Sequence, residues 1–414
     1  MPHASWRGTI LAALASYIDA GSIVAGAAGL ALWAEEYGLS TSTVGLIAAF
    51  SSNAISAGVG ALAGGWLADR YGRTRVYRWD LLLYAFGLLW IIFAVSPWML
   101  VLGYVLTGLA VGADVPASWT LVTETAPNGR RGQRTGVAQL LWSLGPLVVL
   151  LLALALSDLG VLGIRLIFAH LLVVSLVLWV LRGRMEESRD WETATSTSRV
   201  TLAGVRELFK PAYLPPLLLL AGMYGIWNLK AGTGGFFMPY ILRTVGAQTQ
   251  GQALALQGAG FLLGMIVTFT IFMRLVDRSN QARLYGAGIA LQAGSMLILA
   301  LFPLTTTVAL VYVAIGGAGG GLGAQGFFGL WSTESFPTAL RATALGLMFA
   351  VVRIALGIWS LFVPAITAAG FATLAWMLTA FVLISGVFGF WYLHRRRPSR
   401  ARVGLAAFHP DGVM

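Results

Sequence analysis

Long apolar runs recur along almost the whole chain, separated by short polar breaks. They fall at approximately 11–34, 43–66, 80–95, 98–123, 135–156, 161–181, 212–241, 251–273, 284–302, 305–332, 342–366 and 370–392. A helix needs about 20 apolar residues to cross the hydrocarbon core of a bilayer. The pattern therefore predicts an all-α polytopic membrane protein with twelve transmembrane helices. One helix buried in a soluble domain would account for one such run and not for a dozen, and the short alternating segments of an outer-membrane barrel are absent. The stretch 182–211 breaks the pattern with charges of both signs. It reads as a cytoplasmic linker between a six-helix bundle at 1–181 and a second at 212–393, with a tail at 394–414. Val205 to Phe209 suit a short amphipathic helix, and Pro211, Pro215 and Pro216 frame the start of span seven.

Composition supports the membrane reading: 58% of residues are hydrophobic and only 10% are Asp, Glu, Lys or Arg, against about 25% charged in soluble domains. The formal charge of +11 does not point to nucleic acid, because the basic residues lie in the breaks between runs. With a cytoplasmic N-terminus, one side holds Arg70, Arg73, Arg75 and Arg78, then Arg130, Arg131 and Arg134, then Arg274, Arg278 and Arg283, then Arg341 and the tail arginines. The other side holds little beyond Glu35, Glu36, Asp158, Arg165 and Arg243. That bias puts both termini in the cytoplasm and the protein in the plasma (bacterial inner) membrane. The absence of cysteine excludes disulfides and thiolate metal sites. The few histidines form no metal-ligating cluster, so no metal or cofactor is expected. The first apolar run lacks a convincing cleavage site and is taken as a membrane helix. Because one chain supplies both halves, a monomer is the simplest assembly.

A repeat supports the two-bundle division. Thr123 to Pro127 read TETAP and Thr333 to Pro337 read TESFP, and the same offset of 210 pairs Arg131 with Arg341 and Gly136 with Gly346. Asp69-Arg70 corresponds, within two residues, to Asp277-Arg278. Two halves repeated in parallel imply a pseudo-symmetry axis along the membrane normal and a central cavity that opens to either side by rocking.

The break between spans two and three, GGWLADRYGRTRVY at 64–77, combines glycines with one acid and three arginines. Gly72 permits a tight turn. Asp69 can accept from backbone amides at a helix start or pair with arginine. Glu124 and Glu334 end spans four and ten. The expected gating group is thus Asp69, Arg70, Arg73, Glu124, Arg131, Asp277, Arg278, Glu334 and Arg341, forming ion pairs that make and break between states. The second-half break, LVDRSNQAR, lacks the glycines, so Asp69 is expected to matter more than Asp277 for conformational exchange while specificity stays unchanged.

GGWLADRYGRTR closely resembles the signature loop of the major facilitator superfamily. The ExxPxxxR elements at 124–131 and 334–341, EESRDW at 186–191 and Asp19-Ala20-Gly21 in span one resemble its sugar-porter and related metabolite:proton symporter families. The resemblance spans essentially the whole chain and implies the twelve-helix fold of secondary transporters. It also makes the span-one acid the better precedent for proton coupling.

Ionisable residues inside membrane helices are costly and mark pathways or coupling sites. Asp19 and Asp114 are the candidate proton carriers, since a carboxylate whose water access and ion pairing change between states can load and release a proton. Permanent pairing of either with Lys230 or Arg353 is the alternative, and Asp114, in GADVP, can also cap a helix kinked by Pro116. Span seven, with Gly232, Gly234, Gly235 and Pro239, predicts an interrupted or flexible helix lining a cavity. Candidate substrate contacts are Asn53, Gln139, Trp142, Tyr224, Trp227, Asn228, Lys230, Gln257, Gln325, Trp331 and Arg353, with an interhelical hydrogen bond an equal alternative for each amide. The leading expectation is proton symport of a small polar organic solute, a sugar or sugar-derived metabolite. Alternatives are an organic-anion:proton symporter and a proton-driven exporter of drugs or metabolites. A transport-incompetent receptor is disfavoured because no signalling domain is appended. An enzyme is disfavoured because no nucleophile constellation appears.

Overall fold

The computed structural model describes residues 6–406 apart from 41, 42, 44, 45, 48, 51–53, 128, 184, 196–204, 247 and 279. The principal helices are α1 (Trp6–Glu36), α2 (Ile55–Tyr71), α3 (Arg73–Ile92), α4 (Pro97–Glu124), α5 (Arg131–Ala155), α6 (Val161–Arg182), α7 (Leu214–Thr244), α8 (Gln250–Val267), α9 (Gln281–Leu301), α10a (Thr306–Gly321), α10b (Ala324–Ser335), α11 (Arg341–Ala369) and α12 (Phe371–Ala406). Among the described residues no strand occurs, and nine helical stretches are long and apolar enough to cross a membrane. Helices α2, α3 and α7 occupy the places expected for spans two, three and seven. Large apolar side chains such as Phe86, Leu151, Val180, Leu218 and Phe362 remain exposed on the outside, as a lipid-facing surface requires.

The repeat seen in the sequence reappears in the packing. In the first half α1 packs on α5 and α6, α4 on α2 and α3, and α3 on α6. In the second half the same partners recur six helices later: α7 on α11 and α12, α10a on α8 and α9, and α9 on α12. The halves meet through two related contacts, α2 on α11 and α8 on α5. Small residues set the first of these. A Cβ on Gly65 would lie 2.3 Å from the Ala342 carbonyl, and one on Gly346 would lie 2.2 Å from the Ala61 carbonyl. Backbone therefore touches backbone, the close approach that small residues permit between membrane helices.

Gly72 separates α2 from α3 at a φ of 105°, a conformation that any side chain would strain. The chain turns there and delivers the α3 N-terminus to the linker. Glu187 accepts from the Thr74 amide at 3.0 Å and from its hydroxyl at 2.8 Å. The indole of Trp191 donates to the Asp69 carbonyl at 2.8 Å. EESRDW is thus seated directly beneath the signature loop.

Three details differ from expectation. Helix α7 runs unbroken despite its glycines and Pro239. Proline lacks an N–H and so leaves the carbonyl four residues earlier without its helical donor. Gln257 of α8 supplies one, donating to Gly235 at 3.0 Å and Gly234 at 3.3 Å, and the helix stays whole. The interruption falls instead in span ten, between Gly321 and Ala324, beside a π turn at Thr268–Phe272 that continues α8. The Thr268 hydroxyl bonds the Gly321 carbonyl at 3.2 Å. The expected amphipathic helix is a 3₁₀ turn, Arg206–Phe209, anchored by buried Leu208, and α12 continues helically to Ala406 beyond the expected end of span twelve.

Candidate functional site

A cavity of about 150 Å³ lies between the halves, and a smaller hollow of about 20 Å³ adjoins it, sharing Trp142, Ala231, Gly235 and Phe261. The larger cavity takes Gln139 and Trp142 from α5, Trp227 and Lys230 from α7, and Gln257 from α8; the smaller takes Tyr224, Asn228, Gln325 and Arg353. These residues lie far apart in sequence, yet the structure brings them to one place. Asn53 lies outside the described residues. Trp331 does not line the cavity: its indole donates to Gln281 at 2.8 Å and its ring stacks on Tyr392 at 5.3 Å, in an aromatic cluster near the end of α10b. On a helix with polar and aromatic residues on several faces, spacing alone does not say which face turns to the cavity.

Gln292 of α9 and Tyr312 of α10a also line the cavity and were missed. Gln292 sits in an apolar run, and that isolated amide was the available signal. Its side-chain nitrogen donates to the Gly319 carbonyl at 3.1 Å, which fixes the oxygen towards α7. That oxygen accepts from Trp227 Nε1 at 2.8 Å and Lys230 Nζ at 3.2 Å. Tyr224 stacks on Phe328 with ring centres 4.3 Å apart. The buried Asn228 side-chain oxygen has no hydrogen-bond partner among the described residues, so it offers a free acceptor at the hollow.

The ionisable residues separate into two pairs. Asp19 on α1 faces Arg353 on α11 across the halves, Oδ2 to Nη2 at 3.4 Å, with both side chains nearly buried. The other Asp19 oxygen is buried without a hydrogen-bond partner among the described residues, and Trp142 lies alongside. Asp114 pairs with neither Lys230 nor Arg353. Its partner is Arg182 at the end of α6, at 3.0 Å. Arg182 also donates to the Leu11 and Ala12 carbonyls at 3.0 and 3.3 Å and lies over the Tyr77 ring. Asp114 therefore joins α4 to α6 and α1 within the first half, in a helix that stays continuous through Pro116. Asp80, buried on α3, lies within electrostatic reach of both Asp114 and Arg182. Sequence reasoning had counted Arg182 with the linker and Asp80 as a span end.

At the linker end, Asp69 reaches across the halves to the start of α11. Its two oxygens accept from the Ala342 amide at 3.3 Å, the Thr343 amide at 2.6 Å and the Thr343 hydroxyl at 2.6 Å. Arg73 bonds Asp69 at 3.1 Å, Glu124 at 3.0 Å and the Thr338 carbonyl at 3.0 Å, and Arg341 completes the group on Glu124 at 2.9 Å. Two acids and two arginines balance in a hub that is almost wholly buried. Asp277 makes the related contact at the start of α5, accepting from Gly132 at 2.9 Å and Gln133 at 2.8 Å. The amides at 132–133 and 342–343 are separated by the repeat offset of 210. The rest of the second hub is missing: Gln281 replaces the arginine, Glu334 pairs with Arg396 of α12, and no ion pair of Arg131 or Arg278 occurs among the described residues. Arg70 lies over Trp66 and Tyr71.

Two pseudo-symmetric bundles, an amide- and aromatic-lined cavity between them and carboxylates that clasp the opposite half define a membrane transporter of alternating-access type. Residues 8–246 match the Major Facilitator Superfamily, and the chain belongs to that superfamily; it is an integral membrane transporter and not an enzyme. It is 44% identical over 394 residues to the Minor myo-inositol transporter IolF of Bacillus subtilis, covering 92% of this chain and 89% of that protein. It is 24% identical to the Arabinose-proton symporter of the same organism, over 75% of each chain. The fold matches a solved structure of the proton:xylose symporter XylE with a TM-score of 0.80 at 16% identity, covering 93% of this chain and 95% of that one.

Proposed function

We propose that the protein is a proton-coupled importer of a small polyhydroxylated solute, a sugar or sugar-derived ring compound, working in the plasma membrane as a monomer with both termini in the cytoplasm. The observation that carries this reading is the Asp19–Arg353 pair, which joins α1 to α11 at the edge of the cavity. A proton arriving on Asp19 removes the charge that holds Arg353, and the two halves lose one of their ties at the level of the solute. Solute hydroxyls engage Asn228, Gln139, Gln257 and Gln325, ring faces pack on Trp142 and Trp227, and the bundles rock about the α2–α11 and α8–α5 contacts. A change of a few kcal/mol in the balance of states suffices to redirect access. The names of the relatives, an inositol transporter and an arabinose-proton symporter, agree with a hydroxylated solute and with proton coupling.

In proteoliposomes, Asp19→Asn should abolish accumulation driven by an imposed proton gradient while solute counterflow persists. Uphill uptake by that variant at the wild-type rate would remove Asp19 from the coupling role. Solute movement against an inward proton gradient would replace import by export.

A further inference from the structure

The charge inside the cavity does not balance. Among the described residues that line it and its adjoining hollow, the cations are Lys230 and Arg353, and no Asp or Glu is present. Arg353 has its counter-charge in Asp19. Lys230, at the middle of α7, has a neutral contact, the Gln292 side-chain oxygen at 3.2 Å, and that oxygen is shared with the Trp227 indole. An ammonium carries three N–H donors and no acceptor. Holding it inside a bilayer without a carboxylate costs several kcal/mol. The site keeps that cost in reserve for whatever brings the opposite charge.

From this we infer that the solute is a hydroxylated monoanion: a six-membered ring or polyol of the sugar-acid class whose single carboxylate seats on Lys230. This rests on the cavity being the transport site and narrows its solute class. The fixed Gln292 amide holds the ammonium from behind and leaves its remaining donors for the ligand. Gln139 and Gln257 are placed for hydroxyls, and the indoles of Trp142 and Trp227 for the apolar ring face. The volume agrees, since a cavity of about 150 Å³ accommodates a single six-membered ring. One charge in excess selects one carboxylate. A dianion would leave its second charge unpaired, and a neutral polyol would leave Lys230 unpaired.

The test uses the purified full-length protein and ring-matched probes: D-glucuronate, D-galacturonate and D-gluconate against D-glucose, D-galactose and myo-inositol, read by thermal stabilisation. At least one carboxylate should bind about tenfold or more tightly than its neutral counterpart, the value of one charge-assisted contact. Lys230→Gln should remove that preference and leave neutral binding unchanged, and Lys230→Arg should keep it; wild-type melting of the unliganded variants guards against misfolding. Tighter binding of the neutral rings, stabilisation by none of the carboxylates, or a preference that survives Lys230→Gln overturns the inference. Counterflow of the preferred probe separates the two readings: binding of the carboxylate without counterflow refutes transport and leaves the anion assignment standing.

Discussion

The two linker-end latches start from the same device and end with different strengths. Asp69 and Asp277 each cap the first helix of the opposite half's contact pair, α11 and α5, through two adjacent amides. Around Asp69 the repeat has kept a complete buried hub of Arg73, Glu124 and Arg341. Around Asp277 the aspartate is exposed, glutamine stands at 281, and Glu334 has turned to Arg396. An exposed carboxylate on two amides contributes about as much as an ordinary helix cap, whereas a buried, balanced four-charge group fails as a unit when one member is removed. The lesson is that duplication preserved the geometry of the clasp while the energy gathered on one side, so the α2–α11 contact is the tighter of the two hinges.

Four substitutions, in descending order of expected effect, can break or sharpen that comparison. Because the chain has no cysteine, alkylation of one cysteine introduced at the linker end reports opening directly. Asp69→Asn leaves Arg73 short of a counter-charge and should cost about 3–5 kcal/mol, seen as lower melting, faster alkylation and slowed counterflow, with solute preference unchanged; altered preference would make the loop a binding element. Gly346→Ala forces a methyl against the Ala61 backbone and should cost about 1–3 kcal/mol. Its repeat mate Gly136→Ala meets the flexible side chain of Met273 and should cost less than about 1 kcal/mol. Equal losses at the two glycines would refute the asymmetry. Arg341→Ala should cost about 1.5–3 kcal/mol through Glu124, against no measurable loss for Arg131→Ala. Asp277→Asn, last, should cost about 1 kcal/mol or less, and an effect as large as that of Asp69→Asn would show that the second latch is no weaker.

Much of this was legible beforehand because membrane helices write themselves as apolar runs and the repeat exposes the symmetry. TETAP and TESFP, together with Asp69 and Asp277, located both latches before any packing was visible. Gln139, Gln257, Gln325 and Lys230 stood out as polar residues within such runs, and they do line the cavity. Which cation meets which acid was not legible. Arg353 and Asp19 lie 334 positions apart in the chain, and Arg182 looked like an interfacial residue until α6 placed it against Asp114. Nor did glycines and proline in span seven reveal that the helix would stay straight, because the donor that repairs it comes from another helix.

That repair has a consequence for how the cavity wets. The Gly235 carbonyl owes its hydrogen bond to the Gln257 side chain and not to its own helix. Any movement that draws α8 away from α7 uncovers a peptide oxygen at the cavity wall, and water or a solute hydroxyl must take the amide's place. Opening on that side is therefore inseparable from hydration, and a solute that supplies the missing donor is admitted with part of its own water shell already replaced.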